Sequence, residues 1–119
     1  MEAKCHLKFQ RYGRRKVAQL LDAIRGKSLF EADALLTATP RGATTVVQKA
    51  VKSAGANLSV KLGRKLDLKN IWVSTAFADQ GPMKQLRRVQ PGPQGRAMPF
   101  KRKMCHITVT VSDTKEAKR

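Results

Sequence analysis

Apolar positions recur every second residue at the start of the chain, at helical spacing through its middle, and every second residue again towards its end. Over residues 3–10, Cys5, Leu7 and Phe9 fall on one side and Lys4, His6 and Lys8 on the other, which predicts a strand with one wet, basic face. Val17, Leu20, Leu21 and Ile24 then stand at i, i+3, i+4 and i+7, the stripe of an amphipathic helix that Gly26 stops. A second helix begins at Ser28, whose hydroxyl is placed to cap it with Glu31 three residues on. It turns Leu29, Ala32, Leu35 and Leu36 inward before Pro40 ends it or opens the next. A third helix, over residues 42–62, repeats Val47, Ala50, Val51, Ala54 and Leu58, and a stripe so rich in Ala marks the closely packed, central one. Gly55 within it costs about 1 kcal/mol relative to Ala, and a tight contact is the expected reason.

After a short basic connector at 63–67, residues 69–79 alternate again. Ile71, Val73, Thr75 and Phe77 share one face and Trp72, Ser74, Ala76 and Ala78 the other, which reads as a strand. In the last strand His106, Thr108, Thr110 and Ser112 alternate with Ile107, Val109 and Val111, a polar face against a core face. The charged tail after Asp113 is expected to fray. One strand, three helices and two strands give an α+β fold, a small antiparallel sheet covered by three helices.

Residues 80–103 interrupt this pattern. The stretch holds seven Lys or Arg and no acid, and its centre, residues 90–96, is built mainly of Pro, Gly and Gln, which favour turns and cannot extend a ladder. That is the outline of a long protruding β-hairpin. Gly81 and Pro82 mark where its arms leave the sheet, and roughly ten residues per arm would carry the tip some 30 to 40 Å outward. With so few apolar residues the ribbon is marginal alone and needs a surface to lie against. The 119 residues are expected to form a single domain, 1–119, with 80–103 as its extended hairpin.

Charge identifies the kind of surface. Lys plus Arg number 25 against 8 Asp plus Glu, a formal net charge of +17, and such self-repulsion is tolerated chiefly when a polyanion neutralises it. The cations Arg11, Arg14, Arg15 and Lys16 crowd the start of the first helix, where they oppose its dipole and call for an external anion. Nucleic acid is therefore the expected partner. A membrane is not, because no apolar run approaches the roughly 20 residues of a span and the basic residues are dispersed. The first ten residues lack the pattern of a signal peptide, and two cysteines fit a reducing, intracellular setting.

Cys5 with His6 and Cys105 with His106 raise the question of zinc. Neighbouring residues on a strand face opposite ways, so neither strand can aim both its Cys and its His at one ion, and no metal or other cofactor is expected. The acids are scattered rather than clustered, and no Ser, His and Asp arrangement or phosphate-binding Gly motif is present, which argues against an enzyme. Trp72 and Tyr12 are candidates for base stacking or for the core.

The order and spacing of several short runs carry a resemblance. Residues 94–111, QGRAMPFKRKMCHITVTV, together with Arg15, Lys16 and Val17 leading to Ile24, Arg25, Gly26 and Lys27, then Ser53, Ala54, Ala56 and Asn57, then Asp79, Gly81 and Pro82, resemble the universal large-subunit ribosomal protein family numbered twenty-two, bacterial type. The resemblance covers nearly the whole chain. It implies a structural constituent of the large ribosomal subunit that binds 23S-type RNA and supports assembly. Its globular part would lie on the outer surface and its hairpin would line the polypeptide exit tunnel, with Gln90, Pro91, Gly92, Pro93, Gln94, Gly95 and Arg96 as the tip. The implied partners are ribosomal RNA, neighbouring ribosomal proteins and the nascent polypeptide, with no homo-oligomer, in the ribosomes of a bacterial cytoplasm or of an organelle. Gly13 and Arg14 replace the family's common Ser-Pro, Gly92 and Pro93 stand where Arg and Ala often do, and Met104 and Cys105 replace Thr-Ser.

The residues expected to contact RNA are Arg11, Arg14, Arg15, Lys16, Lys84, Arg87, Arg88, Arg96, Lys101, Arg102, Lys103 and His106. Cations of this kind bind phosphates, which position a protein without reading sequence. A DNA-architectural protein with a basic β-arm shares the hairpin and the charge and is the alternative reading.

Overall fold

The computed structural model describes residues 1–114; the expectation for the tail beyond them lies outside the described residues. Five strands, β1 (Glu2–Gln10), β2 (Trp72–Gln80), β3 (Arg87–Pro91), β4 (Ala97–Lys101) and β5 (Cys105–Ser112), and three helices, α1 (Arg14–Ile24), α2 (Leu29–Ala38) and α3 (Thr44–Leu62), make the α+β architecture. A three-stranded antiparallel sheet has the order β1-β5-β2, and β3 pairs with β4 in a separate two-stranded ladder. The molecule measures 63 × 26 × 26 Å, elongated by that ladder.

Three rows of side chains cross the sheet towards the helices: Ala3, Val111 and Val73; Cys5, Val109 and Ala76; Leu7, Ile107 and Ala78. The whole β5 share of these rows is fully buried, and each such Ile or Val contributes roughly 1.5–3 kcal/mol. Val17, Leu20, Leu21 and Ile24 of α1, Leu29, Ala32 and Leu36 of α2, and Val47, Ala50, Val51, Ala54 and Leu58 of α3 close the core from above. Ser28 caps α2 as its spacing predicts, its Oγ accepting from the Glu31 amide at 3.3 Å. A Cβ on Gly55 would stand 2.8 Å from Leu29 Cδ1, so the glycine admits the close crossing of α2 and α3.

Two bulges overturn part of the expected alternation. Val73 pairs with Val111 but Thr75 with Thr110, which leaves Ser74 as an extra residue. The slip sends Ala76 and Ala78 into the core and exposes Thr75 and Phe77, because one inserted residue exchanges the two faces of a strand. In β1 the register shifts between Leu7 and Gln10, and Phe9, at φ 55°, lies 56% exposed instead of joining Cys5 and Leu7. Leu35 also remains exposed, since only Leu29, Ala32 and Leu36 of α2 reach the core. Helix α3 starts at Thr44, two residues later than its pattern suggests.

Both outer edges of the sheet are capped by helix side chains or by loop backbone. Along β2, Gly26 N–H donates to Val73 O, Val73 N–H to Lys27 O and Leu29 N–H to Ile71 O, each at 2.9 Å, so the α1–α2 connector pairs with the strand. Further along, Arg25 Nη2 donates to Ala76 O at 2.6 Å and Arg14 Nε to Ala78 O at 2.9 Å. On β1, Asn57 Nδ2 and Lys61 Nζ from α3 donate to Lys4 O and Glu2 O, both at 2.9 Å. Covered edges deny other chains a template for pairing.

Valine at Gly55 should overpack the α2–α3 crossing and lower unfolding stability in urea by about 2 kcal/mol, whereas Ser53→Ala, exposed on the same helix, should change it by less than about 0.5 kcal/mol. A second expectation concerns Cys105, whose thiol burial pushes above its ordinary 9.0 against a partial offset from a Tyr12 backbone hydrogen bond. The unfolded chain then loses this proton first, so the contribution is complete below about pH 9 and declines as pH rises through the folded value. Urea midpoints measured between pH 8 and 10.5 should fall more steeply for the native sequence than for Cys105→Ala.

Candidate nucleic-acid interface

The sheet ladder ends at the pair Gln80↔Cys105 and the hairpin ladder begins at Arg87↔Lys101. Between them six residues, 81–86, face three, 102–104, so the first arm bows outward through a short 3-10 turn, Lys84–Leu86. Gly81 N–H donates to Met104 O at 2.9 Å on one side of this break, and Arg102 N–H to Leu86 O at 3.0 Å on the other. Regular pairing in the hairpin is thus five residues per arm and is separate from the sheet, shorter than the ten-residue continuation the sequence suggests.

Pairs along the hairpin are Arg87↔Lys101, Arg88↔Phe100, Val89↔Pro99, Gln90↔Met98 and Pro91↔Ala97. Like charges directly opposite one another, as at Arg87 and Lys101, destabilise a ladder by some tenths of a kcal/mol to about 1. Pro91 and Pro99 lack the N–H that a further strand would need, so this ribbon resists extension by another chain. Val89 and Met98 are mostly exposed, leaving the ribbon with apolar as well as cationic surface to cover.

At the tip, Gln94 at φ 58° and Gly95 at φ 69° are both left-handed, and Arg96 N–H donates to Pro93 O at 3.3 Å. Positive φ at both central residues is the type I′ geometry whose twist suits a hairpin. Gly92 N–H donates to Arg96 O at 2.8 Å, and a Cβ on Gly92 would come within 2.9 Å of that oxygen. Glycine at 92 is therefore a steric requirement of this tight tip.

Every expected cation of the hairpin, Lys84, Arg87, Arg88, Arg96, Lys101, Arg102 and Lys103, is exposed, as are Arg11, Arg14, Arg15 and Lys16. Ion pairs among the described residues join Arg25 to Asp22, Lys52 to Asp33 and the terminal ammonium to Asp113; none includes a hairpin cation. Arg11 meets the hairpin at a cavity of about 260 Å³ in the break, lined also by Leu86, Arg88, Arg102, Lys103 and Met104. Lys103 runs beside Gly13, so the start of α1 and the second arm form one basic surface.

Arg14 stands apart from the other expected contacts, because its Nε–H already caps the β2 edge, which uses one of its five donors. His106 is half-buried, and its Nδ1 accepts from the Phe9 amide at 3.0 Å while its ring meets Phe9 edge-on at 5.0 Å. Both thiols point into the core, while His6, hydrogen-bonded to Thr108 Oγ1 at 2.7 Å, and His106 lie on the opposite face. Among the described residues no group of three His, Cys, Asp or Glu is disposed to hold a metal ion. Tyr12 packs against the core and Trp72 is half-buried at the start of β2. Sequence reasoning missed Arg25 as an edge cap and Leu86 and Met104 as cavity walls, since neither role has a local signal.

No helix among the described residues is long and apolar enough to cross a membrane. Compared with known proteins, residues 5–112 match the family model described as ribosomal protein L22p/L17e. The chain is 47% identical over 116 residues to the large ribosomal subunit protein uL22 of Desulforamulus reducens, covering 98% of this chain and 99% of that one. It is 43% identical over 113 residues to the protein of the same name in Clostridium tetani, covering 95% and 98%. A third, from Clostridium acetobutylicum, is 45% identical over 113 residues, again 95% and 98%. A match across the sheet, the helices and the hairpin together shows that the chain belongs to the ribosomal protein L22p/L17e family, a family of structural ribosomal constituents and not of enzymes.

Proposed function

We propose that this protein binds large-subunit, 23S-type ribosomal RNA, supports assembly of that subunit, and lines the polypeptide exit tunnel with residues 90–96. In this reading residues 1–119 act as one domain with 80–103 as its extended hairpin, in a bacterial-type ribosome of the cytoplasm. Neighbouring ribosomal proteins and the nascent chain are its further partners, and it works without a second copy of itself. The observation that carries the reading is a ribbon of exposed cations without an acid from residue 80 to 112, on a chain of ribosomal-protein family.

Phosphate binding follows from that arrangement. Arg87, Arg88, Arg96, Lys101, Arg102 and Lys103 contribute affinity through phosphates, with Lys84, Arg11, Arg15 and Lys16 extending the contact towards α1. Folded RNA is recognised largely by shape, through phosphates and 2′-hydroxyls, and a narrow ribbon suits insertion between RNA segments. Arg14 contributes with the guanidinium nitrogens that Ala78 does not occupy, and His106 through the ring edge away from Phe9.

Deleting residues 83–100 should leave a folded body that binds a large-subunit RNA transcript more weakly. Four cations leave with that segment, so the slope of log affinity against log salt should shrink by up to about 3. Unfolding of the body, or an unchanged slope, would contradict this reading, and equal affinity for duplex DNA at matched salt would favour an architectural DNA protein. A paired substitution, Arg87→Gln with Lys101→Gln, should have opposite effects on the two states. Amide exchange should slow in the free hairpin as the repulsion is relieved, while RNA affinity at 100 mM salt falls on the order of tenfold.

A further inference from the structure

The cavity at the hairpin root has a composition that phosphate binding alone does not explain. Four of its walls are cationic, Arg11, Arg88, Arg102 and Lys103, and no acidic side chain is among the described residues that line it. Leu86 and Met104, the remaining described residues of its lining, are half-buried and apolar. We propose that this cavity receives one unstacked nucleotide of the bound RNA, its phosphate among the four cations and its base against Leu86 and Met104. The inference rests on the RNA-binding reading above and adds to it a definite site.

Size supports a single occupant. At about 260 Å³ the cavity lies just below the usual range for small-ligand sites, which begins near 300 Å³, so it admits no stacked run and at most one base with its phosphate at the cationic rim. Its chemistry supports a nucleotide over a bare anion. A bare phosphate would be satisfied by the cations and would leave the apolar walls against water. A nucleotide joins a phosphate to a flat, weakly polar face, and a methionine thioether is well suited to pack on such a ring. Proteins recognise single-stranded positions in folded RNA through unstacked bases, usually held on aromatic rings or guanidinium planes; here Leu86 and Met104 supply the apolar face beside the guanidinium groups of Arg88 and Arg102.

The cavity is also held open before any ligand arrives. It exists because six residues face three across the break, and backbone bonds fix both sides, Arg102 N–H to Leu86 O and Gly81 N–H to Met104 O. The Arg102 guanidinium sits 5.8 Å from the Phe100 ring centroid, a cation–π contact that limits its wandering. Arg11 enters from the end of β1, so the cavity joins the body to the hairpin and a nucleotide in it would fix the angle between them.

Photo-crosslinking of the full chain tests this. With Met83→Leu and Met98→Leu in place, photo-methionine is left at positions 1 and 104, and irradiation of a one-to-one complex with a large-subunit RNA transcript should join the peptide that holds residue 104 to the base of one dominant nucleotide. Arg88→Gln should reduce that crosslink severalfold. In parallel, Leu86→Ala and Met104→Ala should each weaken binding on the order of tenfold with the salt slope unchanged, as expected where an apolar contact and no phosphate contact is lost. Crosslinks from residue 104 spread over several nucleotides, or confined to ribose, with RNA still bound, would overturn the single-nucleotide site and leave RNA binding standing. Failure of the unsubstituted chain to bind the transcript would instead overturn the RNA-binding reading itself.

Discussion

Strand β5 is paired along both edges, with β1 on one side and β2 on the other. Flanked by β1 and β2, its Ile107, Val109 and Val111 form the middle of all three core rows, over which α3 packs against β1 and β5 and α1 against β2. Because β2 runs into the first arm of the hairpin and β5 continues the second, the same ladder that assembles the core clamps both roots of the ribbon. A slip of one residue in β5 would turn its apolar row to solvent, so the register that buries the core also sets where the hairpin leaves it.

Beyond that clamp the balance of forces changes. The body offsets its charge partly with acids and closes its sheet edges with Arg14, Arg25, Asn57 and Lys61, each donating to a strand carbonyl. The hairpin has neither resource. It carries no acid, sets Arg87 against Lys101, and leaves Val89 and Met98 exposed, while its prolines prevent another strand from covering it. On the proposed function, what completes it is an anionic, shaped surface outside the chain, of the kind folded RNA provides. Geometry at the tip is nonetheless local, set by the left-handed pair Gln94 and Gly95 and the close approach at Gly92.

Features with local causes were legible in the sequence. The stripes of α1 and α3, the Ser28 cap and the tight contact at Gly55 all follow from spacing within a few residues. Phe77 and Phe9 were misassigned because alternation, counted evenly along a strand, carries no mark of the bulges at Ser74 and after Leu7; pairing with β5 decides those. Leu35 is a further case, since an apolar residue beside the buried stripe of a helix is buried only if something lies over it. Within the interface the cations were legible as charge, but the share of Arg14 given to the β2 edge and the cavity between Arg11 and the hairpin arise from tertiary placement. Family membership came from the order of short runs, each of which alone is unspecific.

On the proposed function the body folds on its own resources, whereas the hairpin is completed by RNA. Amide hydrogen exchange, measured residue by residue in the free chain and in complex with a large-subunit RNA transcript, tests it most directly. In the free chain, amides that pair β1, β5 and β2 should exchange only through global unfolding, and those of the β3–β4 ladder orders of magnitude faster. RNA should slow the hairpin amides towards the sheet's level and leave the sheet nearly unchanged. Equal protection of both ladders without RNA, or no gain in the hairpin on binding, would contradict the account.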